Sequence, residues 1–226
     1  MQKIISSKIV TDDLADLNNK TFLVTGATGL VGSMFIRTLL AINHSYNTNI
    51  KIIAVLRNPE KAEKIFGEGS KEIRSIVADI TAKDFSNTAG NELTSDIDYI
   101  IHTAAITSSK MMVEKPVETI ETALEGTKNL LELARLAHTR TFLYVSSMEV
   151  YGSMGKGTEE KATEDRLGFI DPLVVRSDYP ESKRMCENMC IAYSHEYGAN
   201  VKIARLATDF WRGDPSVGRP GICTVC

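Results

Sequence analysis

The chain has 226 residues, 43% of them hydrophobic and 24% charged, with a formal net charge of −3. That length supports one substantial core and part of a second domain, and the mild acidity lacks the clustered Lys/Arg that a nucleic-acid or anionic-membrane partner requires. No apolar run approaches the roughly 20 residues of a membrane span. The N-terminus has no signal-peptide core, and the cysteines at 186, 190, 223 and 226 are too few and too bunched to staple the fold, so a reducing, cytoplasmic location is expected.

Along the chain, Leu14-Ala15-Asp16-Leu17 predicts a lead-in helix on the sheet edge. Apolar runs at 21–25, 50–56, 73–77, 99–102, 141–145 and 201–206 predict strands, and helical spacing between them is clearest at 30–42, 116–137 and 180–197. Strict alternation of this kind builds an α/β fold, a doubly wound parallel sheet of Rossmann-like type with helices on both faces. The stretch 152–178 is long, irregular and rich in Gly and charge, which marks a substrate-facing loop.

Directly after the first strand comes Gly26-Ala27-Thr28-Gly29-Leu30-Val31-Gly32, opening the first helix. In such a turn Gly26 makes the bend, Gly29 lets the backbone approach a pyrophosphate, and Gly32 permits close helix–strand contact. Thr28, Leu30 and Val31 complete the anion-favouring helix N-terminus. An NAD site places a carboxylate at the end of the second strand; here that place reads Leu56-Arg57-Asn58, and Arg57 leans towards the 2′-phosphate of NADP, against the alternative of a solvated surface arginine. Asp79 and Ile80 follow the third strand where an adenine would lie, Asp79 as acceptor from its amino group or as a plain turn residue. Thr103, Ala104 and Ala105 end the fourth strand, beside the expected nicotinamide ribose, and His102 reads as structural.

Tyr179-Pro180-Glu181-Ser182-Lys183 sets a phenol and an ammonium on one helix face. The Lys charge favours the phenolate, which lets Tyr179 take a proton from a hydroxyl. At the end of the fifth strand stands Ser146-Ser147-Met148-Glu149-Val150-Tyr151-Gly152, facing the ligand crevice of an open α/β sheet. Cys186 and Cys190 read as buried small residues rather than metal ligands, and no metal site is expected.

With the glycine loop, Ser-Ser-x-Glu-Val-Tyr-Gly and Tyr-x-x-x-Lys in this order, the chain resembles the extended short-chain dehydrogenase/reductases, specifically the NAD-dependent epimerase/dehydratase family, over about residues 10–207. The resemblance implies a nucleotide-sugar substrate and NAD as the default cofactor. Tyr179 would deprotonate a sugar hydroxyl, usually at C4, while Lys183 holds the cofactor ribose, Ser147 completes the Ser/Tyr/Lys triad and Glu149 serves as a second acid or base. A homodimer is carried by the same analogy. Family 4,6-dehydratases carry Asp-Glu where this chain has Met148-Glu149, and methionine transfers no proton. An epimerase acting by transient oxidation is therefore expected, with dehydratase or decarboxylase as alternatives. The helical Asn-x-x-Gly-Thr of the family also reads Ala123-Leu124-Glu125-Gly126-Thr127 here.

Family members continue past Arg205-Leu206-Ala207 into a smaller substrate-binding domain, which is expected to be largely missing here. Suitable codons for Thr208-Asp209-Phe210-Trp211, read one base later, give the family-like Gln-Thr-Phe-Gly. Residues 1–207 are thus expected to form the NAD(P)-binding catalytic domain and 208–226 a frameshifted tail. On that reading a further alternative is a truncated, catalytically silent cofactor-binding domain.

Overall fold

Strands buried on both faces read as near-continuous apolar runs, and each of the six runs becomes a strand. The computed structural model describes residues 14, 16–83, 85, 97–154 and 163–207. The strands are β1 (Thr21–Thr25), β2 (Lys51–Leu56), β3 (Ile73–Val77), β4 (Tyr99–His102), β5 (Thr141–Ser147) and β6 (Val201–Leu206). All neighbours pair in parallel, in the order β3-β2-β1-β4-β5-β6. The order reverses between β1 and β4, and an open α/β sheet binds ligands outside the strand carboxyl ends at such a point.

Between the strands lie helices α1 (Leu30–Tyr46), α2 (Pro59–Phe66), α3 (Ser109–Glu114), α4 (Pro116–Leu136) and α5 (Asp178–Tyr197). Short 3₁₀ turns stand at Gly67–Glu72, Met148–Tyr151 and Val175–Ser177. Successive strand residues point to opposite faces, so the sheet builds two cores. Leu23, Ile53, Ile100, Phe142 and Tyr144 pack with Leu130, Leu131, Cys186 and Cys190 of α4 and α5. Phe22, Val24, Ile52, Ala54 and Ile101 pack with Ile36, Leu39, Leu40 and Ala62 of α1 and α2. The doubly wound expectation is met in this two-sided arrangement.

Of the lead-in segment, Leu14 is buried in the second core. Residues 1–13 and the whole of the 208–226 tail, Cys223 and Cys226 included, lie outside the described residues. The stretch 152–178 is tied down at its described ends. Ser153 and Phe169 form an isolated antiparallel bridge, and Arg184 of α5 donates to the carbonyls of Val150 (2.8 Å) and Gly168 (2.7 Å).

Candidate active site

The turn after β1 is built so tightly that side chains are excluded from it. Gly26 has φ +64°, and a Cβ there would stand 2.6 Å from Thr103 Oγ1 and 2.8 Å from the Ala104 nitrogen. A Cβ on Gly32 would stand 2.4 Å from the Gly26 carbonyl oxygen. Gly29 caps α1 with no side-chain bond, and the first turn of α1 carries no acidic residue. A 17-residue helix thus offers its positive end and first-turn amides to an anion.

A cleft of about 550 Å³ opens over this turn. Its walls include Gly26, Thr28, Gly29, Leu30, Val31, Arg57, Asp79, Ile80, Thr103, Ala104 and Ala105, the expected cofactor residues. Gly32 lies buried beneath the turn rather than on the wall. Lys61, Glu118, Glu121, Thr122 and Thr107 also line the cleft and were not anticipated. For Lys61 a readable signal existed: Asn58-Pro59 is an N-cap followed by the favoured first helical residue. Asn58 Oδ1 does accept from the Lys61 nitrogen at 2.9 Å, setting Lys61 in the first turn of α2.

Asp79 folds back on its own turn, its Oδ1 accepting from the Thr81 nitrogen (2.9 Å) and Thr81 Oγ1 (2.8 Å). The Thr81 backbone and hydroxyl bonds, and then the Arg57 charge, hold its carboxyl below the usual carboxylate range. Asp79 is thus a turn aspartate that also lines the cleft.

The second group of candidates gathers at the carboxyl end of β5 and the start of α5. Asp178 and Glu181 in the first turn suit the helix N-terminus, and Asp178 Oδ1 accepts from the Tyr179 nitrogen at 2.7 Å. One turn on, Lys183 is buried and donates from Nζ to the Val145 carbonyl at 2.8 Å. That ammonium sits 4.7 Å from the Tyr144 ring centroid and 5.8 Å from that of Tyr179. Burial pushes the Lys183 ammonium down to about 8. Ser147 ends β5, and its Oγ accepts from the Glu149 nitrogen at 3.2 Å, which leaves the hydroxyl proton to be donated elsewhere. Glu149 is held by Arg176, whose Nη2 lies 3.0 Å from Oε1 and 3.0 Å from Oε2, with the guanidinium carbon 5.8 Å from the Tyr179 ring centroid. Arg176 was not anticipated, although it stands three residues before Tyr179.

Tyr179 and Lys183 do not line the cleft itself. They share with it the carboxyl edge of the sheet, since β4, which ends beside Gly26, pairs with β5. His102 is enclosed by Thr25 and Thr127 and pushed down to about 3 by burial and by the Lys183 charge, so it is a neutral interior group. Among the described residues no cluster of His, Cys, Asp and Glu suited to a metal is present, and no helix is long and apolar enough to cross a membrane.

Residues 22–216 match the NAD dependent epimerase/dehydratase family. Among curated proteins, UDP-glucuronic acid decarboxylase 1 of Danio rerio is 28% identical over 197 residues, covering 87% of this chain and 43% of that enzyme. Among solved structures, UDP-glucose 4-epimerase of Thermus thermophilus in complex with NAD is 26% identical with a TM-score of 0.66, over 82% of this chain and 54% of that one. A dTDP-glucose 4,6-dehydratase of Streptomyces venezuelae, also NAD-bound, is 28% identical with a TM-score of 0.66, over 82% and 55%. The chain spans about half the length of the curated relatives it matches.

Proposed function

From the premise that this chain belongs to the NAD dependent epimerase/dehydratase family, we propose that it is a nucleotide-sugar epimerase acting by transient oxidation of a sugar hydroxyl. The observation that carries the reading is Lys183, buried on the Val145 carbonyl one turn from Tyr179. A buried ammonium beside a phenol favours the phenolate by direct charge interaction. Tyr179 then accepts the proton of the sugar hydroxyl, and Ser147, with its oxygen already engaged by the Glu149 nitrogen, donates to that same hydroxyl oxygen and fixes its direction.

The cleft fits a nicotinamide dinucleotide on its own geometry: a bare helix N-terminus, a glycine cradle that any Cβ would fill, and room of about 550 Å³. When bound, that cofactor supplies the hydride acceptor. Gly26 and Gly29 would let the backbone approach its pyrophosphate, Asp79 and Ile80 would hold the adenine side, and Thr103, Ala104 and Ala105 would lie beside the nicotinamide half. NAD is the cofactor in the solved relatives. In this chain Arg57 and Lys61 line the wall beyond β2, where an NAD-specific site has a carboxylate, and they favour the 2′-phosphorylated form. Arg57→Ala should weaken NADPH binding about tenfold or more relative to NADH binding in a fluorescence titration, since a hydrogen bond to a charged group contributes about 1.5–3 kcal/mol.

A decarboxylase is the second reading, favoured by Glu149, a carboxylate held by Arg176, whose guanidinium carbon lies 5.8 Å from the Tyr179 ring centroid; there it could act on the oxidised sugar. Met148 at the neighbouring position argues against dehydration. Incubation with the dinucleotide and a panel of UDP- and TDP-sugars separates these: an epimer supports the first reading, carbon dioxide the second, and an accumulating 4-keto-6-deoxy sugar would restore the dehydratase. Dinucleotide binding without turnover on any sugar would assign a silent cofactor-binding domain. No binding of either dinucleotide would sink every one of them.

A further inference from the structure

We propose that His102 is a positioning residue, the centre of a one-way chain of buried hydrogen bonds that ties the floor of the glycine turn to the helix carrying Tyr179 and Lys183. The chain begins at the Ala104 nitrogen, which donates to Thr25 Oγ1 (3.4 Å). Thr25 Oγ1 meets His102 Nδ1 at 2.7 Å, and His102 Nε2 meets Thr127 Oγ1 at 3.2 Å. Thr127 Oγ1 donates to Cys186 Sγ (3.3 Å), and Cys186 Sγ donates to the Ala123 carbonyl (3.2 Å). Thr25, His102, Thr127 and Cys186 are all at most 1% exposed.

The carbonyl end fixes the direction of the protons. A backbone carbonyl can only accept, so Cys186 spends its one proton on Ala123 and accepts from Thr127, and Thr127, its own proton committed, accepts from Nε2. Burial keeps the ring neutral, so Nδ1 is bare and Thr25 donates to it while accepting from Ala104. The proton of the neutral imidazole is thereby fixed on Nε2. A second ring proton would confront the Thr25 hydroxyl proton on Nδ1, leaving a buried donor unsatisfied. It would also set a second cation against the Tyr144 ring, which lies 5.7 Å from the His102 ring and already faces the Lys183 ammonium at 4.7 Å. The titratable groups around the imidazole are thus Tyr144 of β5 and Lys183 and Cys186 of α5.

The endpoints give this chain its consequence. Ala104 and Thr103 form the surface on which Gly26 rests, and Thr103 Oγ1 donates to the Thr25 carbonyl at 2.7 Å. Cys186 lies three residues after Lys183, on the next turn of α5. The cofactor cleft and the Tyr/Lys pair stand on different elements, β1/β4 and α5, and the chain sets one against the other. This inference rests on the reading of Tyr179 and Lys183 as the proton-transfer pair.

Its test needs neither sugar nor dinucleotide. In the wild-type protein, ¹⁵N NMR of the histidine rings should place the His102 proton on Nε2 with no titration between about pH 5 and 9. Tyr179, labelled at Cζ with ¹³C and assigned through Tyr179→Phe, is then titrated in Cys186→Ala and Cys186→Ser. Removal of the thiol should raise the Tyr179 midpoint by about half a unit or more, because a looser Lys183 supports the phenolate less. Serine, which keeps both a donor and an acceptor, should restore it. A proton on Nδ1 would overturn the proposal, as would a Tyr179 titration unmoved in the alanine variant while the melting temperature falls equally in both. Failure of the wild-type protein to bind any dinucleotide would instead overturn the proposed function and leave these measurements decisive on their own.

Discussion

At Lys183 two requirements oppose one another: the ammonium must be buried to lie against Tyr179, and burial is what pushes it down to about 8. It is therefore still charged at neutral pH. In the proposed function its support for a Tyr179 phenolate is lost as the pH rises through about 8, so the alkaline limb of the proposed sugar oxidation should fall there and be absent in Lys183→Arg, whose guanidinium does not titrate in this range. Lys183→Met keeps the length and loses both the charge and the bond to Val145, so the rate of cofactor reduction in a single turnover should drop by about 10² or more. Equal alkaline limbs in the wild type and the arginine variant would contradict this account. At Gly26 the argument is steric. Alanine there combines φ +64° with contacts of 2.6 and 2.8 Å to Thr103 and Ala104, and should cost about 1–3 kcal/mol of stability in denaturant titration together with most of the dinucleotide affinity.

Among the elements, β6 and α5 are joined by Arg205, whose Nη2 lies 2.7 Å from Glu187 Oε2 and whose Nε donates to both carboxylate oxygens (3.0 and 3.2 Å). Arg205 Nη1 also reaches the Glu164 carbonyl at 3.0 Å, and its guanidinium carbon lies 5.0 Å from the Tyr151 ring centroid. The side chains are 14% and 10% exposed, so removing one partner leaves a largely buried charge. Arg205→Leu should cost about 3 kcal/mol or more and free the backbone around Glu164, whose carbonyl it holds, seen as faster amide exchange at Arg166, while Phe169, held by Ser153, stays protected. A double change, Arg205→Leu with Glu187→Leu, should recover much of the loss. Elements of this kind show where the sequence could be read. The strands were legible because parallel strands such as Phe22-Leu23-Val24 are apolar on both faces, and the glycine turn because its backbone tolerates nothing else. The short α2 and α3 were not picked out, since eight and six residues barely complete an amphipathic pattern. The partners of Glu149 and His102 were invisible for another reason: Arg176 is 27 residues from Glu149 and Thr25 is 77 from His102, so only the topology brings them together.

Across the whole molecule, the two strongly shifted bases leave a signature in stability against pH. Folding lowers the proton affinity of both His102, from 6.5 to about 3, and Lys183, from 10.5 to about 8. A base held neutral in the folded state binds fewer protons there than in the unfolded chain between its two values, so stability rises with pH across that window. For His102 stability is lost as the pH falls from about 6.5 towards 3; for Lys183 it is gained as the pH climbs from about 8 to 10.5. Carboxylates such as Asp79 and Glu132, held low by their hydrogen bonds, also lose stability in acid, so the acid limb alone does not identify the histidine. The difference between wild type and His102→Gln does, because every other group cancels to first order. Glutamine can bond Thr25 and Thr127 but does not titrate. Urea unfolding at a series of pH values should show the variant less stable than wild type at pH 7, with the gap closing and then reversing as the pH falls below about 5. A gap that stays constant from pH 7 to 4 would mean that His102 takes up its proton as readily in the folded protein as in the unfolded chain, and a ring that stays neutral in mild acid would have to be abandoned.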